Sequence, residues 1–238
     1  MNDPLGDGIS SVQLVQSSGD DLMTVNAARV SLAAFSNGTT VRDEGSDDEW
    51  KNVPTDADAK LLKYLLKQGH WSPFEHCHVT LRVKVPLFVR SQIIRHKSAS
   101  FNEVSGRYTE VKDEVFTPQL FRKQASSNRQ ASVEADDTLD QDTCFTIWGT
   151  AVMTALDAYC ELLERGVTRE QARGILPQAM YTEFLMTAPL RTWLHLFDQR
   201  IHEGAQYETQ KVAEAMRDLI APLFPVTFAA YASLKKEN

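Results

Sequence analysis

The sequence has few cysteines and no long apolar run. Its three cysteines, Cys77, Cys144 and Cys160, are an odd number without the paired spacing of a zinc site. This usage predicts free thiols in a reducing compartment, and therefore a cytoplasmic protein. No stretch approaches the roughly 18 consecutive apolar residues of a membrane-spanning helix. The first residues also lack the basic and apolar segments of a signal peptide, so we expect no membrane partner.

Positive charge is scarce as well. The chain has 25 Lys and Arg residues against 32 Asp and Glu residues, a net charge of -7, which argues against binding of a nucleic-acid polymer. The exception is the segment 82–108, in which Lys and Arg are frequent and Glu103 is the only acid. A local positive region on an acidic protein suits a small anionic ligand.

The two common glycine-rich phosphate-binding patterns, Gly-x-x-x-x-Gly-Lys and Gly-x-Gly-x-x-Gly, are missing. A nucleotide would therefore have to be held by side chains and loop amides. The segment Arg95–Tyr108 offers such groups, because cations flank hydroxyls, an amide, a carboxylate and a glycine. It gives a core almost no apolar surface, so its composition indicates nucleotide binding.

The hydrophobic pattern predicts an α+β fold, with an antiparallel sheet flanked by helices and a helix-rich C-terminal half. Apolar and polar residues alternate cleanly over 76–85, which predicts a half-buried strand. A shorter strand is predicted over 12–15, and the nucleotide motif is predicted to continue as a loop after a helix. We expect a single domain over 1–238, with loop excursions at 36–52 and 122–138. Helices are predicted over 20–30, 54–69, 87–96, 140–165, 178–186, 189–201 and 205–223.

Two smaller features bear on the site. Thr168–Gln171 matches a capping box, which predicts that Arg173 lies on a short helix. The three cysteines fall in apolar patterns and are predicted to be buried side chains rather than nucleophiles.

A group of histidines and a glutamate raises the possibility of a metal site and of metal-dependent nucleotide hydrolysis. The group comprises His70, Glu75, His76 and His78. The last two histidines fall on the polar face of the predicted strand, and no helical His-Glu-x-x-His pair is present. We therefore predict no metal, while His70 and Glu75 remain candidate ligand contacts in a structured turn.

The segment that begins at Arg95 resembles the signature of the flavin-dependent thymidylate synthases, Arg-His-x-x-x-Ser-x-Asn-Glu-x-Ser-x-Arg. The matching residues are Arg95, His96, Ser100, Asn102, Glu103, Ser105 and Arg107. Similar segments follow the family order over about 12–230. They are Ala27–Ser31, Gly69–His70 with Ser72–His76, Arg173 with Leu176–Pro177, Tyr181–Thr182, Arg191, and Arg200 with Ala205–Gln206.

The resemblance implies reductive methylation of dUMP to dTMP. The family takes its carbon from 5,10-methylenetetrahydrofolate and its hydride from FAD that NADPH has reduced. It also implies a homotetramer whose active sites lie at subunit interfaces. By resemblance, FAD would contact Ser72, Arg95, His96, Lys97, Glu103, Arg191 and His195. The dUMP ligand would contact Gln92, Arg95, Glu103, Val104, Ser105, Gly106, Arg107, Arg173 and Arg200.

Arg200 would be the catalytic residue and His70 would belong to the flavin and folate region. A guanidinium beside the uracil ring can stabilise negative charge there, and it stays protonated at working pH. Because the resemblance implies that reduced flavin supplies the hydride, no cysteine nucleophile is required.

Three positions depart from the family pattern. Lys97 stands in place of the usual second arginine, and Pro189 and His195 stand where asparagine is common. Lysine keeps the charge but loses the planar, two-pronged grip of arginine. These departures motivate an alternative, a dUMP-binding relative with lost or altered flavin turnover.

Overall fold

The computed structural model describes residues 2–42 and 50–237 of the chain. The strands are β1 (Ser11–Ser18), β2 (Thr39–Arg42), β3 (Trp50–Val53), β4 (His78–Pro86), β5 (Ser100–Glu103), β6 (Lys123–Gln124), β7 (Ser132–Val133) and β8 (Tyr181–Pro189). The helices are α1 (Asp21–Arg29), α2 (Asp56–Gln68), α3 (Leu87–Ile93), α4 (Gln141–Glu164), α5 (Arg169–Ala172), α6 (Leu190–Arg200), α7 (Tyr207–Ile220) and α8 (Pro225–Glu237). No helix in these ranges is long and apolar enough to cross a membrane.

An antiparallel sheet of four strands, in the order β1-β4-β8-β5, confirms the predicted α+β class. Strand β4 confirms the alternating segment, although it begins two residues later than predicted. Its apolar residues Val79, Leu81, Val83 and Val85 are completely buried. The period of two therefore fixes which face of β4 belongs to the core.

Strand β8 lies where a helix was predicted over 178–186, and that prediction was wrong. Tyr181, Phe184, Met186 and Ala188 of this strand are buried. The segment contains Glu, Leu, Met and Ala, which favour helices, so its local propensity is misleading. In the sheet, β8 lies between β4 and β5 and pairs with both. This tertiary context outweighs the helix propensity of its residues.

The nucleotide motif contains a strand, whereas a loop was predicted. Residues 100–103 form β5 at the edge of the sheet. The backbone nitrogen of Val104 then donates to the carbonyl of Glu183 at 2.9 Å. Helix α3 ends at Ile93, three residues before the predicted end, so residues 94–99 form the turn that leads into β5.

The helix ends follow local signals, with one exception. Asp20 caps α1 and accepts from the nitrogen of Met23 at 2.7 Å. Thr55 caps α2 in a capping box, and Gly69 ends α2 with φ of 68°. Thr168 makes no capping bond with its side chain, so the capping box predicted there was wrong. Helix α5 has only four residues, which leaves it little helical backbone to cap.

The two predicted excursions contain short antiparallel hairpins. Strands β2 and β3 pair from Thr39 opposite Val53 to Arg42 opposite Trp50, so the ends of the first excursion are strands rather than loop. Residues 43–49 of this excursion lie outside the described residues. Strands β6 and β7 form the hairpin of the second excursion.

Helix α4 confirms the predicted long helix, but much of its surface is uncovered. Its buried residues are Val152, Leu156 and Tyr159, whereas Ile147 and Met153 are exposed. The cysteines divide accordingly, as Cys77 is buried, Cys144 is partly exposed and Cys160 is exposed. The prediction that all three are buried is therefore confirmed only for Cys77, because Cys144 and Cys160 lie on parts of α4 that are not fully covered.

The chain groups into two compact units. Unit 1 contains residues up to 13, 82–186 and 196–215, and unit 2 contains 14–81, 187–195 and residues from 216. In unit 1, a cluster around Val152, Leu156 and Met180 forms part of the core. In unit 2, α2 packs on α8 and buries Leu62 and Leu65. A single domain over the whole chain stays a prediction.

Candidate active site

Unit 1 contains a cavity of about 680 Å³. Its wall is built from the end of β4, the start of α3, the end of β5, the loop after β5 and the start of β8. Five of the residues predicted to bind dUMP line it, namely Glu103, Val104, Ser105, Gly106 and Arg173. Residues 103–106 and Arg173 are far apart in sequence, so the fold brings them together.

The carboxylate of Glu103 is fixed by two donors. Its Oε2 accepts from the guanidinium of Arg90 on α3, and its Oε1 accepts from Thr182 Oγ1 at 2.7 Å. Charge-assisted bonds of this kind hold a side chain in one orientation. Arg90 and Thr182 were not among the predicted site residues. The only signals were that Arg90 lies in the basic segment and Thr182 in a family-like pair.

The loop after β5 is a tight turn. The carbonyl of Ser105 accepts from the nitrogens of Tyr108 at 3.0 Å and Thr109 at 3.2 Å. Ser105 Oγ accepts from the nitrogen of Arg107 at 3.3 Å. A Cβ at Gly106 would lie 3.4 Å from Arg173 Cδ, so glycine allows the loop to approach the arginine stem closely.

The acids of the cavity wall are paired with cations. Glu103 pairs with Arg90, as described above. The other pairs are Glu110 with Arg169 at 3.0 Å, Glu114 with Lys84 at 2.8 Å, and Glu183 with Arg82. Arg173 makes no ion pair with any residue of the described ranges and is exposed. Its charge is therefore available to an anionic ligand.

Arg107 points to a different environment. It does not line the cavity, and its Nη2 lies 3.0 Å from Glu170 Oε2, with both side chains about half exposed. An exposed ion pair contributes only about 0–1 kcal/mol to stability. The Arg107 guanidinium could therefore leave Glu170 and bind a phosphate with little loss of free energy.

Arg200 and Gln92 lie together and are not among the residues that line the cavity. Arg200 Nη2 donates to the carbonyl of Gln92 at 3.0 Å, and the amide of Gln92 donates to Gln206 Oε1. Arg200 Nε is buried and has no hydrogen-bond partner among the described residues. Burial lowers the pKa of this guanidinium from its ordinary value of 12.5. A buried donor without a partner is costly, so the Nε–H group is available to donate a hydrogen bond to a ligand.

The predicted FAD residues occur in both units. In unit 1, Arg95 and Lys97 are exposed on the turn after α3, and His96 between them is buried. In unit 2, Ser72 and His195 are exposed. Whether these residues contact FAD stays a prediction.

The remaining candidates in unit 2 have partners of their own. Arg191 Nη1 donates to Glu75, so Glu75, which the sequence left open, is an ion partner. His70 packs edge-on against Tyr64, with ring centroids 5.9 Å apart. No group of three or more His, Cys, Asp or Glu side chains in the described part of the chain could hold a metal ion.

Comparison with known proteins identifies the family. The family model described as "Thymidylate synthase complementing protein" matches residues 13–226. A flavin-dependent thymidylate synthase of Kosmotoga olearia is 38% identical over 220 residues, which cover 92% of this chain and 89% of the relative. This chain belongs to the flavin-dependent thymidylate synthase family. A second member, from Thermus thermophilus, is 39% identical over 92% of this chain and 74% of its own length.

Solved structures agree with this assignment. A UMP/dUMP methylase, PolB from Streptomyces cacaoi bound with 5-Br UMP, is 30% identical with a TM-score of 0.78 and covers 94% of both chains. The same protein bound with 5-Br dUMP gives 32% identity and a TM-score of 0.79, covering 94% of this chain and 95% of the other. The predicted family, enzyme class and fold class are confirmed, while the individual site residues stay predictions.

Proposed function

We propose that this member of the flavin-dependent thymidylate synthase family converts dUMP to dTMP. Its cofactor is FAD, and NADPH and 5,10-methylenetetrahydrofolate are its co-substrates. The observation that carries the proposal is the cavity of unit 1, where Arg173 has no ion pair within the described ranges beside the turn at Ser105 and Gly106. A phosphate can accept from that guanidinium, from the Ser105 hydroxyl and from loop amides.

Glu103 and Arg107 extend this binding site. Because Arg90 and Thr182 already occupy the Glu103 carboxylate, it forms a fixed part of the wall rather than a free negative charge. Arg107 adds a second cation near the phosphate when it leaves Glu170. Val104 is exposed in the same lining and offers apolar surface to the nucleotide.

Arg200 is proposed to activate the uracil ring. Its pKa is lowered by burial from 12.5, yet an arginine stays protonated at neutral pH. A fixed positive charge that faces developing negative charge in a site of low dielectric gives strong stabilisation. Gln92 holds the Arg200 guanidinium through its carbonyl and so orients it.

The residues present fit FAD in their chemistry. Arg95 and Lys97 are exposed cations without an ion pair inside the described ranges, which suits a diphosphate. Ser72, Arg191 and His195 supply a hydroxyl, a second guanidinium and an imidazole, and His70 is assigned to the flavin and folate region. When bound and reduced by NADPH, FAD supplies the hydride of the reaction.

A homotetramer with active sites at subunit interfaces is part of the proposal. The support is the uncovered apolar face of α4, where Ile147 and Met153 are exposed. An apolar cavity of about 470 Å³ beside this face includes Phe88, Trp148 and Ile147 in its lining. Exposed apolar patches of this kind mark protein interfaces. Light scattering at several protein concentrations measures the assembly.

A flavin absorption spectrum of the purified protein tests the proposed function. We expect a yellow protein that NADPH bleaches, and release of the C5 proton of dUMP when methylenetetrahydrofolate is added. A colourless protein that stays inactive with added FAD would refute it. Binding of dUMP without reduction of flavin would support the alternative, a relative without turnover. UMP should be tested in parallel, because the Streptomyces relative is described as a UMP/dUMP methylase.

A further inference from the structure

The first residues of the chain form a compact loop that lies before the region matched by the family, which starts at residue 13. The carboxylate of Asp3 accepts from Gly8 N at 2.8 Å and from Ser10 Oγ at 2.7 Å. Asp7 Oδ1 accepts from Ile9 N at 2.9 Å and from Ser10 N at 2.8 Å. Two short-range carboxylate networks therefore give residues 3–10, hereafter the N-terminal loop, a defined conformation.

The N-terminal loop is attached to the wall of the nucleotide cavity. The other carboxylate oxygen of Asp7, Oδ2, accepts from the hydroxyl of Tyr181, which is the first residue of β8. Tyr181 is 8% exposed and lines the cavity. Burial and the Asp7 carboxylate raise the pKa of Tyr181, so its hydroxyl stays a donor at neutral pH. A second attachment runs from Gln119 Nε2 to the carbonyl of Gly6 at 3.0 Å.

Strand β8 transmits this attachment to the proposed dUMP site. Tyr181, Thr182 and Glu183 are consecutive, and all three line the cavity. Thr182 holds the Glu103 carboxylate, and the nitrogen of Tyr181 donates to the carbonyl of Glu114 at 3.0 Å. A shift of the first residue of β8 therefore displaces the group that orients Glu103. Residues fixed in this way pre-organise the wall of a binding site.

We propose that the N-terminal loop is a positioning element of the nucleotide site, with Asp7 and Tyr181 as the positioning residues. This inference rests on the proposed function, since it assigns the cavity to dUMP. It adds a determinant of affinity that comes from outside the region that the family model matches.

The test uses Tyr181→Phe, Asp7→Asn and the double variant in the full-length, FAD-loaded enzyme. Asp7→Asn keeps Oδ1 for the amides of Ile9 and Ser10 but replaces Oδ2 with an amide NH2 group, which cannot accept from Tyr181. The charge-assisted bond from the Tyr181 hydroxyl is therefore lost, and only a neutral bond in the reverse direction can replace it. We expect each single variant to raise the Kd of dUMP about fivefold, the size expected from one lost hydrogen bond. The Kd of dUMP in the double variant should be no higher than in either single variant, because both changes remove the same contact.

Two further readings separate positioning from a purely structural role. Lost positioning of bound dUMP raises KM and leaves kcat within about twofold, and FAD content stays the same. Tyr207→Phe is the matched control, since it removes a hydroxyl from a half-exposed tyrosine of unit 1, and its Kd for dUMP should equal that of the parent.

The proposal is overturned if both single variants bind dUMP as the parent does, even if their midpoint of thermal unfolding falls. Independent, additive losses in the double variant would also overturn it, because Asp7 and Tyr181 would then not act through their contact. Failure of the parent enzyme to bind dUMP would instead refute the proposed function, and this inference with it.

Discussion

Asp58→Asn perturbs a buried polar cluster in unit 2 whose strength can be worked out. The Asp58 side chain is completely buried and accepts from Arg29 Nη2 at 2.6 Å, Ser36 Oγ at 2.8 Å and Thr55 N at 3.0 Å. Burial alone would raise the pKa of Asp58. The hydrogen bonds from Thr55, Ser36 and Arg29 outweigh burial and lower its pKa from 3.8 to about 2.

This pKa corresponds to a measurable part of the free energy of unfolding. Each pH unit between the folded and unfolded pKa is worth about 1.36 kcal/mol, so Asp58 contributes about 2.4 kcal/mol. Because the folded pKa is the lower one, this stability is present above about pH 4 and is lost as the pH falls towards 2. Asp58→Asn also leaves Arg29 without its carboxylate, so we expect a loss of about 2–4 kcal/mol at pH 7.

The assay is urea unfolding at one fixed protein concentration, at pH 7 and at steps from pH 6 to 2. Asp56→Asn is the matched control, because Asp56 is an exposed acid in the same first turn of α2. It measures the general value of a negative charge at a helix N-terminus, about 0.3–1 kcal/mol. The parent should lose the extra stability between about pH 4 and 2, and Asp58→Asn should not. The reasoning would be refuted if Asp58→Asn and Asp56→Asn lost equal free energy of unfolding at pH 7. It would also be refuted if the free energy of unfolding of Asp58→Asn depended on pH as that of the parent does.

Three further predictions concern the proposed site. Arg200→Ala should lower kcat by at least about 100-fold while circular dichroism and flavin content stay the same, and substantial remaining activity would show that the ring-activating role is misplaced. Lys97→Arg should tighten FAD or leave its Kd unchanged in a fluorescence titration; a large loss of affinity would mean that Lys97 is specifically adapted to its site. Gly106→Ala places a Cβ 3.2 Å from Val111 and 3.4 Å from Arg173, so the KM for dUMP should rise several-fold, and an unchanged KM would contradict the close approach described for this loop.

The sequence predicts those parts of the fold that depend on neighbours along the chain. The helix predicted over 54–69 depends only on residues within that segment, and its start after Thr55 and its end at Gly69 were confirmed. Strand β8 was missed because its pairing with β4 and β5 involves residues about a hundred positions away. Edge strand β5 was missed for the same reason, as its polar sequence has no apolar alternation.

The candidate site divides in the same way. The motif fixes the register of Glu103, Ser105 and Gly106, so sequence comparison alone selects them. Arg90 and Thr182, which hold Glu103, become neighbours only when α3, β5 and β8 are assembled. Their type and spacing along the chain carry no signal of this contact, so only the three-dimensional structure could reveal them.

The paired acids of the cavity wall imply that higher ionic strength weakens nucleotide binding in two ways. Salt screens the attraction between the phosphate and its cations, and it also loosens the ion pairs that neutralise the acids of the wall. At physiological salt, charges more than about 8 Å apart are largely screened, so the phosphate responds to the nearest groups. If salt loosens the pairs of Lys84 with Glu114 and Arg169 with Glu110, those carboxylates begin to repel the phosphate. By pairing with Glu114 and Glu110, Lys84 and Arg169 would thereby shield a bound phosphate from the acids of its own binding site.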